Sequence, residues 1–392
     1  MLIRNVSVVS ATNPGLASIL LKDGKFEEIQ WVGTGDNTNP VSGSIELNGA
    51  LAFPGLINSH DHLDFNLFPQ LGNGIYKNYR EWGNDIHSSR KSSIKEILRI
   101  PQALRIQWGI YKNLLNGFTT VVNHGDYLPP GNEWIDVIQT EISLHSVGFE
   151  KNWLWKLNKP RSPNKKIVIH TGEGTDQIAQ SEIDSLIKGN WFTRALVGVH
   201  GVSMTEIQAK AFRALVWCPA SNMFMFGTTA PVQQLKKHTK ILFGSDSTLT
   251  AGWNIWEHLR IAEKLGYLTR EELFASITSE AADVWNIKQA ASIKKGYKAD
   301  LVLAKRKDQL ENLDAFFALE PADILLVVKK GEIVFFDNEL CEQLKLAGLS
   351  MDSYAPFYLN KTLKYGKTVL IDLIAQIKLL KEDAQLPLNL SL

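Results

Sequence analysis

The sequence predicts an α/β fold: a parallel (β/α) barrel beside a small β-sandwich built from both chain ends. Three observations predict it. The middle, roughly residues 51–290, alternates short apolar runs with helical stretches, the pattern of parallel strands joined by crossover helices. Both flanks are strand-rich instead. Several of the middle's apolar runs end in a histidine or an acidic residue, where parallel barrels gather their chemistry.

Residues 1–50 contain "LIRNVSVVS", "ASILLKDGKFEEIQWVG" and "GSIELNGA", apolar or alternating runs broken by Gly, Asn, Asp and Pro. "KDGK" reads as a hairpin turn. Near the other end, "ADLVLAKR" (299–306) and "DILLVVKKGEIVFFDN" (323–338) read the same way, with "KKGE" as the turn. Chain ends of a domain tend to lie close together. Residues 1–50 and 290–345 are therefore expected to form one composite β-sandwich domain, with the barrel at 51–289 and a C-terminal helical tail at 346–392.

Within the middle, seven runs read as strands: "LAFPGLINS", "FTTVVN", "EISLHSVG", "KIVIH", "ALVGVH", "ALVWC" and "KILFGSD". Helical stretches such as "SIKEILRIPQALRIQWGIYKNLL" and "TREELFASITSEAADVW" separate them. An eight-stranded barrel needs one more. The gap is expected around residues 150–165, "EKNWLWKLNKPRSPNK", which is short and proline-broken, so the barrel is expected to be irregular there.

Composition sets outer bounds. The chain has 392 residues, 44% of them hydrophobic, and a net charge of +1. That charge argues against nucleic acid or an anionic membrane surface as the main partner. Two cysteines, Cys218 and Cys341, make no disulfide framework, and a reducing compartment, the cytoplasm, is the simpler expectation. "MLIRNVSVVSATNPG" lacks the apolar core of a secretory leader, and no run approaches the roughly 18 apolar residues of a membrane span. A small-molecule substrate is the expected partner, and a homodimer is compatible with the reading.

The chemistry begins at "FPGLINSHDHLDF", residues 53–65. His60 and His62 are two positions apart, so on a strand they share a face. "KKIVIH" ends in His170 and is followed by "TGEG", which carries Glu173. "ALVGVH" ends in His200 and "KILFGSD" in Asp246. Singly, each has an ordinary reading: a polar strand end, a loop carboxylate for Glu173, a helix cap or turn residue for Asp246. Together, at the same end of successive runs, they point to a site that binds a divalent metal or moves protons. His87, His238 and His258 fall in helical or loop context and read as structural or exposed. His124 and His145 lie at or inside strand runs and could face a pocket.

"FPGLINSHDHL", "IHTGEGTD", "LVGVHGVSMT", "VWCPASNMFMFG" and "LFGSDSTLTAGWNIWEHLR", in that order, resemble the amidohydrolase superfamily. The nearest branch is that of the cytosine, guanine and adenosine-analogue deaminases and the triazine hydrolases. "GYKADLVLAK" and "PADILLVVKKGEIVF" fit the same branch, and the resemblance spans about residues 1–340. It implies a TIM-like barrel with the β-sandwich beside it, and His60, His62, His170 and Asp246 as ligands of one metal ion. It also implies that Glu173 is a proton shuttle and that His200 orients water or substrate.

Three imidazoles and a carboxylate suit Zn²⁺, and Fe²⁺ is also suitable. A bound cation lowers the pKa of its water from about 15.7 towards 7 and so supplies hydroxide near neutral pH. The catalytic set implied is Glu173, His200 and Asp246. The resemblance implies that a two-metal member would usually need a bridging carboxylate, often a modified lysine at the fourth strand end; Lys151 and Lys156 lie in that region, but no clear strand ends at either. One divalent ion per chain is therefore expected.

The expected activity is a metal-dependent hydrolase of carbon–nitrogen bonds other than peptide bonds. The leading form is a deaminase that releases ammonia from a heterocyclic or amidine-like substrate. The alternative is hydrolysis of a cyclic amide or N-acyl bond, and a non-catalytic scaffold on the same fold ranks below both. Substrate contacts are read at Phe65, Trp82, His124 and Trp253. "CPASN" either sets Ser221 and Asn222 beside the site or forms a turn.

Overall fold

The computed structural model describes residues 1–32, 43–128, 134–160, 165–307 and 309–390. Strands from both chain ends share one mixed, eleven-stranded sheet. The strand Leu51–Pro54 joins the two halves. It runs parallel to Leu2–Val8, with Ala52 opposite Val8, and antiparallel to Leu301–Ala304, with Phe53 opposite Val302. Both predicted hairpin turns form. Lys22 faces Lys25 across Asp23 (φ 50°) and Gly24 (φ 71°), and Lys329 faces Glu332 across Lys330 (φ 51°) and Gly331 (φ 84°). Positive φ at both central residues matches the right-handed twist of the flanking strands.

The run "LAFPGLINS" proves to be two strands. It divides at Gly55, where a Cβ would overlap Thr119 Oγ1. Leu51–Pro54 stays in the terminal sheet, and Leu56–Asp61 opens the barrel. The glycine thus lets the chain pass from one sheet to the other at close approach.

The segment expected as a helical tail is also different. Only Thr368–Leu380 is a long helix there. Before it Tyr354–Leu359 and Thr362–Lys367 form a hairpin, and Leu388–Asn389 pairs with Tyr358 and Leu359. The hairpin turns at Asn360 (φ 47°) and Lys361 (φ 69°). A turn without glycine leaves a weak signal in the sequence, and burial of Tyr354, Phe357 and Leu359 supplies what the turn lacks.

Among the described residues the barrel has eight parallel strands in two hydrogen-bonded sheets. Leu56–Asp61, Phe118–Asn123 and Asp136–Ile138 form one; Ile142–Ser146, Ile167–Thr171, Leu196–His200, Phe212–Trp217 and Lys240–Phe243 form the other. They adjoin where the chain after Lys240–Phe243 passes His60. A Cβ on Gly244 would lie 2.8 Å from His60 Cβ, and the Asp246 N–H donates to His60 O at 3.1 Å.

The eighth strand is Asp136–Ile138, which escapes an apolar-run search because it is three residues long and begins with a carboxylate. Only Gln139, Thr140 and Glu141 separate it from Ile142–Ser146, so no helix intervenes. The barrel is therefore irregular at this link. Segment 150–165 carries the helix Trp153–Asn158, and residues 161–164 lie outside the described residues.

Ile57, Val122, Val168, Val197, Ala214, Val216 and Leu242 fill the barrel, and Trp285 packs with them, its Nε1 donating to Ser59 Oγ at 3.0 Å. The helix Gln102–Leu115 packs closely on the loop after the first strand: a Cβ on Gly109 would overlap Leu63 O. No helix among the described residues is long and apolar enough to cross a membrane.

Candidate metal centre

The first barrel strand ends at Asp61, so His60 closes it and His62 begins the loop beyond. His170 closes the fifth strand. Their three Nε2 atoms converge: His170 Nε2 is 3.3 Å from His60 Nε2 and 3.3 Å from His62 Nε2. Ligands held tetrahedrally at about 2.0–2.1 Å from a zinc ion stand about 3.3–3.4 Å apart, so the separation fits a shared cation.

Protonation agrees. Burial, then the neighbouring His62, depresses the pKa of His60; burial, then the neighbouring His124, depresses that of His170. Neutral rings present lone pairs. His170 Nδ1 lies 2.7 Å from His145 O, so Nδ1–H donates there and Nε2 faces the cluster unprotonated. Of the described residues, His60, His62 and His170 are the set whose ligand atoms converge closely enough to share an ion.

Asp246 approaches from the eighth strand. Its Oδ1 is 3.9 Å from Nε2 of both His60 and His62. The carboxylate is held by three donors: Ser221 Oγ (2.7 Å) and Thr250 Oγ1 (2.9 Å) to Oδ2, and Ser247 N–H (2.8 Å) to Oδ1. Burial alone would raise its pKa; the adjacent His200 and His62, with the Ser221 and Ser247 hydrogen bonds, bring it below the ordinary value. Asp246 (φ 56°) and His200 (φ 73°) both take left-handed backbone conformations, a cost that concentrates where a side chain must be aimed.

His200 is oriented from behind. Its Nδ1 lies 2.9 Å from Asn222 Oδ1, and Asn222 Nδ2 donates to Thr229 Oγ1 at 3.0 Å, which fixes the amide's direction. On the other side His200 Nε2 is 3.5 Å from Glu173 Oε1. Glu173 is buried, and burial first, then Asp246 and Glu182, raises its pKa well above the usual carboxylate range. Its backbone is tied to the segment above it: Tyr79 N–H donates to Glu173 O at 3.1 Å, and Thr175 N–H to Lys77 O at 2.7 Å.

A cavity of about 540 Å³ opens on this cluster. His62, His170, Glu173, His200 and Asp246 line it, and so do Phe65 and Trp82. Two of the expected contacts fall elsewhere. His124 is buried against the rings of His60, His62 and His170, at centroid distances of 5.1, 5.3 and 4.3 Å, and does not line the cavity. It follows the second strand, Phe118–Asn123, and its backbone N–H donates to Asp61 O at 2.8 Å. Trp253 lines a separate cleft with Leu386 and Pro387. Ser221 and Asn222, left open by the sequence, stand beside the site, on Asp246 and His200 respectively.

Sequence reasoning missed the layer beneath. Lys112 is fully buried; its Nζ donates to Asp61 Oδ2 (3.1 Å), Asn66 Oδ1 (3.0 Å), Ser245 Oγ (3.1 Å) and Asp246 O (3.2 Å). Asn113 Nδ2 donates to the same Asp61 oxygen at 2.7 Å. One side chain thus links the His60–His62 segment to the Asp246 loop. The available signal was a lysine inside "WGIYKNLL", on the same helical face as Trp108.

Residues 135–334, about half of the chain, match the model of the amidohydrolase family. A 5-methylthioadenosine/S-adenosylhomocysteine deaminase of Caldicellulosiruptor saccharolyticus is 26% identical over 383 residues, covering 82% of this chain and 89% of that protein. An imidazolonepropionase of Kosmotoga olearia is 24% identical over 385 residues, covering 82% and 91%. The crystal structure of a zinc-bound adenosine deaminase from Xanthomonas campestris aligns with a TM-score of 0.69 at 13% identity, covering 97% of this chain and 99% of that one. At that identity the likeness is one of fold.

Proposed function

Because the chain belongs to the amidohydrolase family, we propose that it is a metal-dependent deaminase of an amino-bearing heterocycle, a hydrolase acting on a carbon–nitrogen bond other than a peptide bond. The observation that carries the reading is the convergence of three imidazole nitrogens, with His170 Nε2 3.3 Å from Nε2 of both His60 and His62, beside Glu173, His200 and Asp246 on one cavity.

In this reading His60, His62, His170 and Asp246 hold one divalent ion, with Zn²⁺ first and Fe²⁺ second by ligand type. When bound, such an ion acts as a Lewis acid and lowers the pKa of water towards 7. Support for one ion rather than two comes from the fourth strand, which ends in His145 and Ser146; Lys156 is paired at the surface with Glu150.

Glu173 takes a proton from the attacking water and delivers it to the departing nitrogen. Water adds to the ring carbon, the carbon–nitrogen bond breaks, and the products are a carbonyl compound and ammonia. Its burial suits this work, because a raised pKa brings a carboxyl nearer to the operating pH. His200, aimed by Asn222, orients the water or the polarised ring nitrogen. Asp246, held by Ser221, Thr250 and Ser247, accepts a hydrogen bond from the same water. Hydrolytic opening of a cyclic amide would use these groups too, and the imidazolonepropionase relative keeps it as the second reading.

Metal-reconstituted protein assayed against aminopurines, aminopyrimidines, aminotriazines and cyclic amides separates them. Ammonia release from an amino-heterocycle is expected. Ring opening of a cyclic amide, with no ammonia from any member, would replace the first reading by the second.

A further inference from the structure

We propose that the substrate of this site carries an uncharged, apolar substituent on its reacting heterocycle, in place of the ribose or amino-acid tail of a nucleoside. The inference rests on the deaminase reading for which atoms react, and on the far wall of the cavity for everything else.

That wall is made by the segment from Phe65 to Leu98 together with Leu249. Buried Phe68 and Ile86 pack as one apolar cluster with the partly buried Phe65, Trp82, Ile94 and Leu249. The polar handles of its aromatic members are already engaged away from the cavity's contents. Trp82 Nε1 donates to Leu71 O at 2.7 Å, and Tyr79 Oη donates to the Glu182 carboxylate at 3.1–3.2 Å. Phe65 stacks on His62 at 5.4 Å and 18°, which sets an aromatic face beside the metal-side imidazole.

Among the described residues lining the cavity there is no lysine or arginine, and the only carboxylates are Glu173 and Asp246, both at the reacting end. A phosphate or an amino-acid carboxylate would therefore lack a counter-ion. A ribose would set its hydroxyls against Phe68, Ile86, Ile94 and Leu249. Besides the reacting groups and Tyr79, the polar side chains lining the cavity are Asn84, His87 and His145, which are solvent-exposed, and Ser247 and Thr250, which stand on Asp246 at the reacting end. Burying a hydroxyl without a partner is unfavourable, whereas an alkyl or aryl group gains from the same surface. An apolar pocket rejects an added hydroxyl by at most about a hundredfold, so the expected preference is about ten- to a hundredfold.

The test compares pairs that are matched at the reacting ring: 9-butyladenine against adenosine, and 1-butylcytosine against cytidine. Binding is measured calorimetrically on the full-length, zinc-loaded Glu173→Gln protein, so turnover does not interfere. At least one butyl member is expected to bind tenfold or more tighter than its ribosyl partner. Equal affinity, preference for the ribosyl member, or no binding of any member at 1 mM would overturn the proposal.

The Ile94→Asp change, made in that same protein, should weaken the butyl member at least fivefold with zinc content unchanged; an unaltered affinity would also count against it. Ammonia release by the wild-type protein on the same four compounds tests the deaminase reading separately. Tight butyl binding without ammonia would sink that reading and leave the apolar wall established.

Discussion

The two sides of the cavity are built by opposite rules. The floor comes from strand ends, is buried, and holds its key polar groups by hydrogen bonds: Asn222 to His200, Ser221 and Thr250 to Asp246, Lys112 to Asp61 and the Asp246 carbonyl. The roof comes from loops and the helices Tyr79–Ser89 and Lys91–Leu98, which present aromatic and aliphatic surface. Floor positions are dictated by where atoms must sit to within tenths of an ångström, since a reaction depends on geometry. Roof positions need only the right shape and polarity. The chemistry therefore belongs to the floor and the selection to the roof, and changes on the two sides should fail in different ways.

The largest expected effect is at the floor. Glu173→Gln should lower kcat by about 10²–10⁴-fold while metal content, read by elemental analysis, stays at the wild-type level. Loss of the metal in this variant would make Glu173 a ligand and erase its role as proton carrier.

Next comes the layer beneath. Lys112→Met leaves Asp61 buried without its cation and should cost about 3–5 kcal/mol of stability, measured as a lower urea midpoint at unchanged slope. Adding Asp61→Asn should recover part of that loss. A single variant within about 1 kcal/mol of wild type would show that the floor does not depend on this ion pair.

A smaller effect is expected from the groups that only aim others. Asn222→Ala should reduce kcat by about ten- to a hundredfold, the usual scale for such supporting partners, and leave zinc affinity unaltered because His200 stands off the ion. A comparable fall in zinc affinity would place His200 among the ligands.

The roof should respond least. Phe68→Ala is expected to raise KM severalfold with kcat within about twofold, the signature of lost uniform binding. A kcat collapse with unchanged KM would erase the division between the two sides.

The same division explains what is legible in the sequence. A histidine or aspartate at the end of an apolar run violates the local pattern, so His60, His62, His170, His200 and Asp246 stand out from residue order alone. The barrel is legible for a related reason, because its strands are short apolar runs separated by helices. Asp136–Ile138 is not, being three residues long and specified by pairing with Phe118–Asn123 rather than by its own composition.

The hairpin at 354–367 is hidden by its Asn-Lys turn, and Gly55 conceals a change of sheet inside one apolar run. His124 misleads because a histidine just past a strand can be buried among its neighbours' rings and not reach the open space. Trp253 misleads because an aromatic near Asp246 in sequence can turn to a neighbouring cleft. Of the roof, Phe65 and Trp82 are legible as candidate contacts, whereas Phe68, Ile86, Ile94 and Leu249 look like ordinary packing until the cavity is seen.

The floor is expected to hold one catalytic metal ion, and the deaminase reading of the cavity depends on it. Chelated, metal-free protein would be titrated with zinc while ammonia release is followed on the best substrate of the panel. The expected curve rises linearly from zero and breaks at one equivalent per chain. A break at two equivalents, or ammonia release unaffected by complete removal of the metal, would contradict it.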